Sequence, residues 1–179
     1  MHRGIDASSL VPGLWQGGMP PMGPLLGLAG FTTVVLCAEE FQPPAVLPPL
    51  WEPALRPVLQ GLSNIPYAGV EVIYAPNDDS FERPPTRDQL ALAVKASGIA
   101  ADRVRNGGNV LITCMQGRNR SGLVSALTLH RLLGVSGFQA VEMVQRRRAP
   151  VPALTNPHFV SVLYNVKPSG AQKVSRPVY

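Results

Sequence analysis

One stretch constrains the fold of this chain more than any other. The apolar run NVLIT at 109–113 passes at once into a polar, glycine-containing loop, and an apolar pattern with helical spacing follows it. The aliphatic and β-branched run predicts a buried central strand. The pattern from Ser121 to Leu133, closed by Gly134, predicts a helix. A strand that leads through a short loop into a helix is typical of sheets covered by helices.

The same alternation of strands and helices runs through most of the chain. Further strands are predicted around the Pro-Gly turn of LVPGLWQGG (10–18), in FTTVVLCA (31–38) and in VEVIYAP (70–76). Helices are predicted within 21–30, from the capping Thr86 to Val104, at 136–148 and at 156–165, with at most short helical turns at 54–62 among the prolines. We therefore expect an α/β (α+β) fold in which a central, mostly parallel sheet of four to five strands is flanked by helices.

Size and composition indicate one globular domain. The chain has 179 residues, of which 45% are hydrophobic and 15% charged, enough to bury a sizeable core. We expect this domain to cover residues 1–166, with a flexible tail at 167–179, and to be monomeric.

The cysteine count and the apolar runs bear on compartment. Two cysteines are too few for a disulfide scaffold in a chain of this length. The longest apolar stretch, 25–38, is short for a membrane span and is interrupted by glycines. We expect a soluble, cytoplasmic protein with no membrane span. Its net charge of +5 favours anionic partners.

The loop after the central strand is predicted to bind phosphate. A loop in this place directs its N–H groups at an anion near the positive end of the helix dipole. Gly117 supplies the backbone freedom that a tight loop needs. The predicted phosphate-binding residues are Met115, Gln116, Gly117, Arg118, Asn119 and Arg120.

The same loop places a nucleophile beside the anion site. The helix N-terminus and Arg120 are expected to lower the pKa of the Cys114 thiol below its free value of about 8.5. Arg120 can hold two phosphoryl oxygens with its planar guanidinium. The Ser121 hydroxyl can donate to sulfur and ease the departure of the thiolate.

The segment CMQGRNRSG resembles the signature of the cysteine-dependent protein tyrosine phosphatase superfamily, dual-specificity class: Cys, five residues, Arg, then Ser or Thr. LVPGLWQGGMP resembles the opening strands of that family, and RRRAPVPALTNPHFVSVL resembles its closing helix, so the resemblance covers roughly residues 9–164. It implies a phosphomonoester hydrolase with a phosphocysteine intermediate and no metal or organic cofactor. The implied substrates are proteins carrying phosphotyrosine, phosphoserine or phosphothreonine, with RNA 5′ ends and phosphoinositides as alternatives.

The resemblance also implies a general acid on an upstream loop, which protonates the leaving oxygen. The segment YAPNDDSFERPP offers Asp79, which is followed by Ser80 as in the family, and Asp78 as the alternative.

Two positions near the cysteines raise further alternatives. Thr113 stands where the family usually has a histidine, and none of the three histidines occupies that place. This departure predicts weaker activation of Cys114, and it leaves an inactive, phosphate-binding pseudophosphatase as an alternative. Cys37, in VVLCAEE, resembles a cysteine of the phosphoinositide-phosphatase branch, which implies a reversible disulfide with Cys114. The alternative is a small buried hydrophobe.

Substrate and reaction class stay open at this stage. Asn119 resembles the RNA 5′-triphosphatase branch, whereas the two loop lysines usual in the phosphoinositide branch are missing. A rhodanese-like sulfurtransferase also uses a cysteine in a loop before a helix, but would not need Asp78 or Asp79. The triplet 146–148 is interpreted as arginines favoured by the dipole at a helix end, with docking of an acidic substrate as the alternative.

Overall fold

Five short strands form one sheet in this computed structural model, which describes residues 5–21, 25–41, 67 and 69–168. They are β1 (Ala7–Val11), β2 (Leu14–Gly17), β3 (Thr33–Ala38), β4 (Glu71–Asn77) and β5 (Val110–Thr113). The order across the sheet is β1-β2-β5-β3-β4. The β1–β2 pair is antiparallel, and the other pairs are parallel. The prediction of a mostly parallel sheet is confirmed.

The two central strands are apolar along their whole length because both of their faces are covered. Every residue of β3 and β5 is buried. Strands of a parallel sheet that carry helices over them show this continuous hydrophobic pattern instead of alternation. The prediction of a buried strand in TVVLCA and of a central strand in VLIT is therefore confirmed.

The helices agree with the predicted segments to within a few residues. They are α1 (Leu25–Leu28), α2 (Arg87–Arg105), α3 (Arg120–Leu133), α4 (Gly137–Arg148) and α5 (Pro157–Tyr164), with a 3-10 turn at Glu39–Phe41. Thr86 and Ser136 begin α2 and α4 with capping boxes, and Gly134 ends α3 in the left-handed conformation. Among the described residues, no helix is long and apolar enough to cross a membrane. The predicted helical turns at 54–62 and the tail from 169 onward lie outside the described residues.

The register of the central strands decides where chemistry can occur. Thr113 of β5 pairs with Gly17 of β2 on one side and with Leu36 of β3 on the other. The residues that follow these partners therefore meet at one edge of the sheet, where all three strands have their carboxyl ends. In open α/β sheets, ligands bind at this edge.

Candidate active site

A cleft of about 330 Å³ opens at the carboxyl edge of the sheet, around the loop that joins β5 to α3. Glu40, from the turn after β3, and Asp79, from the loop after β4, line its rim. The rest of its wall comes from the β5–α3 loop and the first residue of α3: Cys114, Met115, Gln116, Arg118, Asn119 and Arg120. The predicted loop residues other than Gly117 and one of the two predicted acids are therefore brought together in this cleft.

The thiol and the hydroxyl predicted to assist it are in contact. Cys114 Sγ lies 3.2 Å from Ser121 Oγ, and both residues are buried. Because α3 begins at Arg120, its first turn lies beside the sulfur, where the positive end of the helix dipole favours an anion. This arrangement can stabilise a thiolate through one hydrogen bond and one oriented dipole.

Arg120 is held by a carboxylate that sequence reasoning missed. Its Nη1 donates to Glu40 Oε2 over 2.7 Å, while its buried Nε has no partner among the described residues. Burial acts to lower the pKa of Arg120, but the Glu40 carboxylate, together with Cys114 and Asp79, raises the pKa above its ordinary value. The guanidinium therefore stays charged and keeps Nε free for an oxyanion. The acidic pair that ends VVLCAEE was the only signal for Glu40.

The two candidate acids have different surroundings. Asp79 Oδ2 accepts a hydrogen bond from Asn119 Nδ2 at 3.2 Å, and its Oδ1 accepts one from Asn156 Nδ2 at 3.0 Å. Asp78 instead forms a 2.8 Å ion pair with Arg83, whose side chain is 76% exposed. Of the two candidates, Asp79 lines the cleft and Asp78 does not. Asn156 was expected as a helix entry, but its contact with the acid was not.

The crown of the loop is built around Gly117. Its φ is +63°, and a Cβ there would lie 2.6 Å from the Gly17 carbonyl carbon and from Arg148 Nη2. Its carbonyl accepts from Gln16 Nε2 at 2.9 Å and from Arg148 Nε at 3.2 Å. Since the C=O and N–H of a trans peptide point in opposite directions, the Arg118 N–H points away from these two side chains.

Arg148 corrects the interpretation of the arginine triplet. It is 2% exposed, and its Nη1 donates to Asp6 at 3.1 Å and to Ser8 Oγ at 3.2 Å. A cation at a helix end was predicted, whereas this side chain turns inward and joins β1 to the loop. The signal was available in the spacing, because Arg148 follows the buried Val141 and Val144 at helical intervals.

Thr113 does not take the place of the family histidine. Its buried hydroxyl donates to the Val35 carbonyl on β3 at 3.1 Å, so its hydrogen bond goes to the neighbouring strand. Gln16 and Arg148 contact the loop instead, through the Gly117 carbonyl.

Cys37 lies beside the site but differs from Cys114 in environment. It is fully buried, and both thiols are free. Burial raises the pKa of Cys37 well above its usual value, the Cys114 charge raises it further, and Arg120 offsets only part of this effect. Cys37 is therefore a protonated thiol at neutral pH.

Arg118 reaches across the cleft rim. Its Nε donates to the Pro152 carbonyl at 2.9 Å, and its Nη1 donates to Gln116 Oε1 at 3.4 Å. The side chain thus ties the loop to the segment that follows α4.

Several solved structures share the architecture of this chain. No family model and no curated protein matches the chain. A mouse protein described as a dual specificity phosphatase, complexed with zinc tungstate, is 26% identical, with a TM-score of 0.62 over 88% of this chain and 83% of that one. Human DUSP28 is also 26% identical, with a TM-score of 0.59 over 88% of this chain and 89% of its own.

A more distant match is PTPMT1 in complex with PI(5)P, which shows the fold alone. It is 19% identical, with a TM-score of 0.62 over 88% of this chain and 92% of that one. The dual-specificity phosphatases match nearly the whole described chain, and their likeness agrees with the strand, loop and helix around Cys114. The chain has the fold of the dual-specificity class of the cysteine-dependent protein tyrosine phosphatase superfamily.

Proposed function

We propose that this chain is a phosphomonoester hydrolase that works through a phosphocysteine on Cys114. The observation that carries the proposal is the shared cleft. It is lined by the thiol of Cys114, the guanidinium of Arg120 and the carboxylate of Asp79. These are the three groups that phosphate-ester cleavage by a thiol needs: a nucleophile, a charge clamp and a proton donor. The mechanism uses no metal ion or organic cofactor.

In the first step, the Cys114 thiolate attacks phosphorus as the bond to the leaving oxygen breaks. Asp79, in its protonated form, gives its proton to that oxygen. Arg120 and the loop N–H groups bind the three equatorial oxygens, whose negative charge they offset in the transition state.

In the second step, water attacks phosphorus and the S–P bond breaks. The proton from water goes to the Asp79 carboxylate, and inorganic phosphate leaves. The Ser121 hydroxyl, 3.2 Å from Sγ, donates to the departing thiolate and so stabilises it.

The substrates proposed first are phosphotyrosine, phosphoserine and phosphothreonine proteins, acted on by a cytoplasmic monomer. PTPMT1 was solved with PI(5)P, which supports testing phosphoinositides as the next class, and Asn119 supports testing RNA 5′ ends. A panel of phosphopeptides, PI(5)P and a 5′-triphosphorylated RNA, compared by kcat/KM, ranks these classes. Thiocyanate formation from thiosulfate and cyanide would instead indicate a sulfurtransferase.

A phosphate-binding pseudophosphatase is the second candidate, and Thr113 favours it. The Thr113 hydroxyl donates to the Val35 carbonyl, so this residue does not supply the contact by which the histidine of the family activates the sulfur. This candidate predicts tungstate binding without turnover from mildly acidic to mildly basic pH.

Hydrolysis of p-nitrophenyl phosphate by the reduced protein in a chelator separates the two candidates. We expect Cys114→Ser to abolish turnover while tungstate binding is kept, and Asp79→Asn to lower kcat roughly a hundredfold. Asp78→Asn is the matched control, because Asp78 pairs with Arg83 at the surface, and it should change kcat little. Turnover that survives Cys114→Ser would refute the proposed nucleophile.

A further inference from the structure

Asn119 occupies a helix-capping position but does not use its side chain as a cap. It precedes the first residue of α3, where asparagine normally accepts a hydrogen bond from the N–H groups of the first turn, yet it makes no such bond. The residue is 4% exposed. A buried carboxamide at this place needs other partners, and they define what it does.

The oxygen of this carboxamide accepts from the turn before α5. Asn119 Oδ1 receives hydrogen bonds from the Thr155 N–H at 2.7 Å, from Thr155 Oγ1 at 3.2 Å and from the Asn156 N–H at 3.2 Å. The preceding Leu154 has a φ of +52°, a conformation rare for a residue with a side chain. That turn brings both N–H groups onto one oxygen.

The nitrogen of the carboxamide donates to the acid. Asn119 Nδ2 lies 3.2 Å from Asp79 Oδ2, and Asn156 Nδ2 lies 3.0 Å from Asp79 Oδ1. Asn156 Nδ2 also donates to the Ser80 carbonyl at 3.0 Å. Each carboxylate oxygen thus has its own amide donor. Because Asn119 Oδ1 faces the Thr155 and Asn156 N–H groups, turning the amide over would lose both of these bonds and the bond to Asp79.

We propose that Asn119 is a positioning residue that fixes Asp79 over the cleft before any substrate binds. This inference rests on the proposed function and deepens it. Asn119 belongs to the same loop as Cys114, so one carboxamide sets the distance from the acid to the nucleophile. A proton donor that is already in place lowers the barrier by avoiding the entropy cost of loop closure.

The kinetic test uses Asn119→Ala with two phosphate esters. We expect kcat to fall roughly tenfold or more for phenyl phosphate, whose leaving group needs the proton, and less for p-nitrophenyl phosphate. Tungstate affinity should change little. Thr155→Val is the matched control, because it removes one donor to Asn119 Oδ1 and leaves the contact with Asp79.

A double-mutant cycle shows whether Asn119 acts through the acid. In the Asp79→Asn background, Asn119→Ala should lower turnover of p-nitrophenyl phosphate less than twofold, because the group that it positions is gone. An equal loss in both backgrounds would mean that Asn119 acts on the phosphate loop itself, and the inference would be wrong.

A third measurement does not depend on turnover. Backbone ¹⁵N relaxation should give order parameters of about 0.85 for residues 79–82 in the unmodified protein and below about 0.6 in Asn119→Ala. The exchanged pair Asp79→Asn with Asn119→Asp restores the amide-carboxylate contact in reverse. This double variant should regain the rigid loop without regaining activity. It also tests the inference if the alanine variant does not fold.

The two proposals can fail separately. No turnover of any ester by the unmodified protein would reject the hydrolase, and the relaxation data would still decide whether Asn119 holds the acid loop. Order parameters that stay unchanged in Asn119→Ala would overturn the inference, whatever the activity.

Discussion

At the residue scale, several polar side chains around the cleft donate their hydrogen bonds to loop carbonyls and carboxylates. Arg148 and Gln16 both donate to the Gly117 carbonyl, and Glu40 holds Arg120. Buried polar groups cost free energy unless they are paired. Each of these contacts therefore stabilises the fold and also shapes the site.

Arg148→Leu should lower both stability and anion binding. We expect the free energy of unfolding to fall by roughly 3 kcal/mol, because the groups that Arg148 contacts would be left without their buried cation. Tungstate affinity should fall as well, since the Gly117 carbonyl keeps only Gln16. Urea unfolding and calorimetric titration measure the two effects. Arg147→Leu, at an exposed position of the same helix, is the control, and an equal loss there would contradict a specific role for Arg148.

The two cysteines should differ in reactivity and still react with each other. Peroxide oxidises the Cys114 thiolate to a sulfenic acid, which condenses with the Cys37 thiol and releases water. Because the pKa of Cys37 is raised, this condensation should speed up as pH rises above neutral. Intact-mass analysis after brief oxidation should find a bond that dithiothreitol reverses. In Cys37→Ser, Cys114 should be oxidised irreversibly because no disulfide can form. If dithiothreitol restored reduced Cys114 equally well in this variant, the result would count against the pairing.

At the element scale, the connection from β5 to α3 works only if the backbone can turn at Gly117. The loop is closely backed by β2 and α4, and no side chain fits at its crown. A glycine at this place therefore reflects both the left-handed conformation and close packing.

Gly117→Ala should destroy anion binding with only part of the stability lost. The added Cβ would collide with the Gly17 backbone. The loop must then shift, and its N–H groups would no longer point at the bound anion. Gly107→Ala is a sharp control, because Gly107 also has a positive φ but has open space around its Cβ. It should cost about 1–2 kcal/mol of stability and leave tungstate affinity unchanged. Equal affinity losses in the two variants would refute the steric explanation.

At the scale of the whole molecule, ion pairs join distant parts of the chain to the sheet. Glu71 on β4 accepts from Thr33 on β3 at 3.2 Å and from Arg103 on α2 at 2.7 Å. The hydrogen bond from Arg103 is the main reason that the pKa of Glu71 is lowered.

The lowered pKa of Glu71 gives a pH dependence with a definite sign. A carboxylate whose pKa is lower in the folded state stabilises the fold above its unfolded pKa of about 4.3, and this contribution is lost as pH falls through the folded value. Glu71→Gln should therefore lower the urea midpoint slightly at pH 7 and leave it unchanged well below pH 4. Glu142→Gln, at an exposed position of α4, should have no effect at either pH. A difference that persists in acid would exclude the ion pair as its cause.

The sequence alone determined the order of strands and helices, the helix caps and the loop from Cys114 to Ser121. These features depend on residues close together in the chain, where strand runs, helical spacing and capping residues act directly. The fold class followed from them, because a buried parallel sheet needs helices over its faces.

Only the tertiary structure decided which of the two aspartates lines the cleft and what holds the cleft together. Asp78 and Asp79 are neighbours in the chain, but one pairs with Arg83 in solvent and the other with Asn119 and Asn156 in the cleft. Arg148 meets the loop, and Glu40 meets Arg120, across long separations in sequence. Such contacts depend on how the elements pack against one another. A local pattern shows which face of an element is buried, but it does not show which partner that face meets.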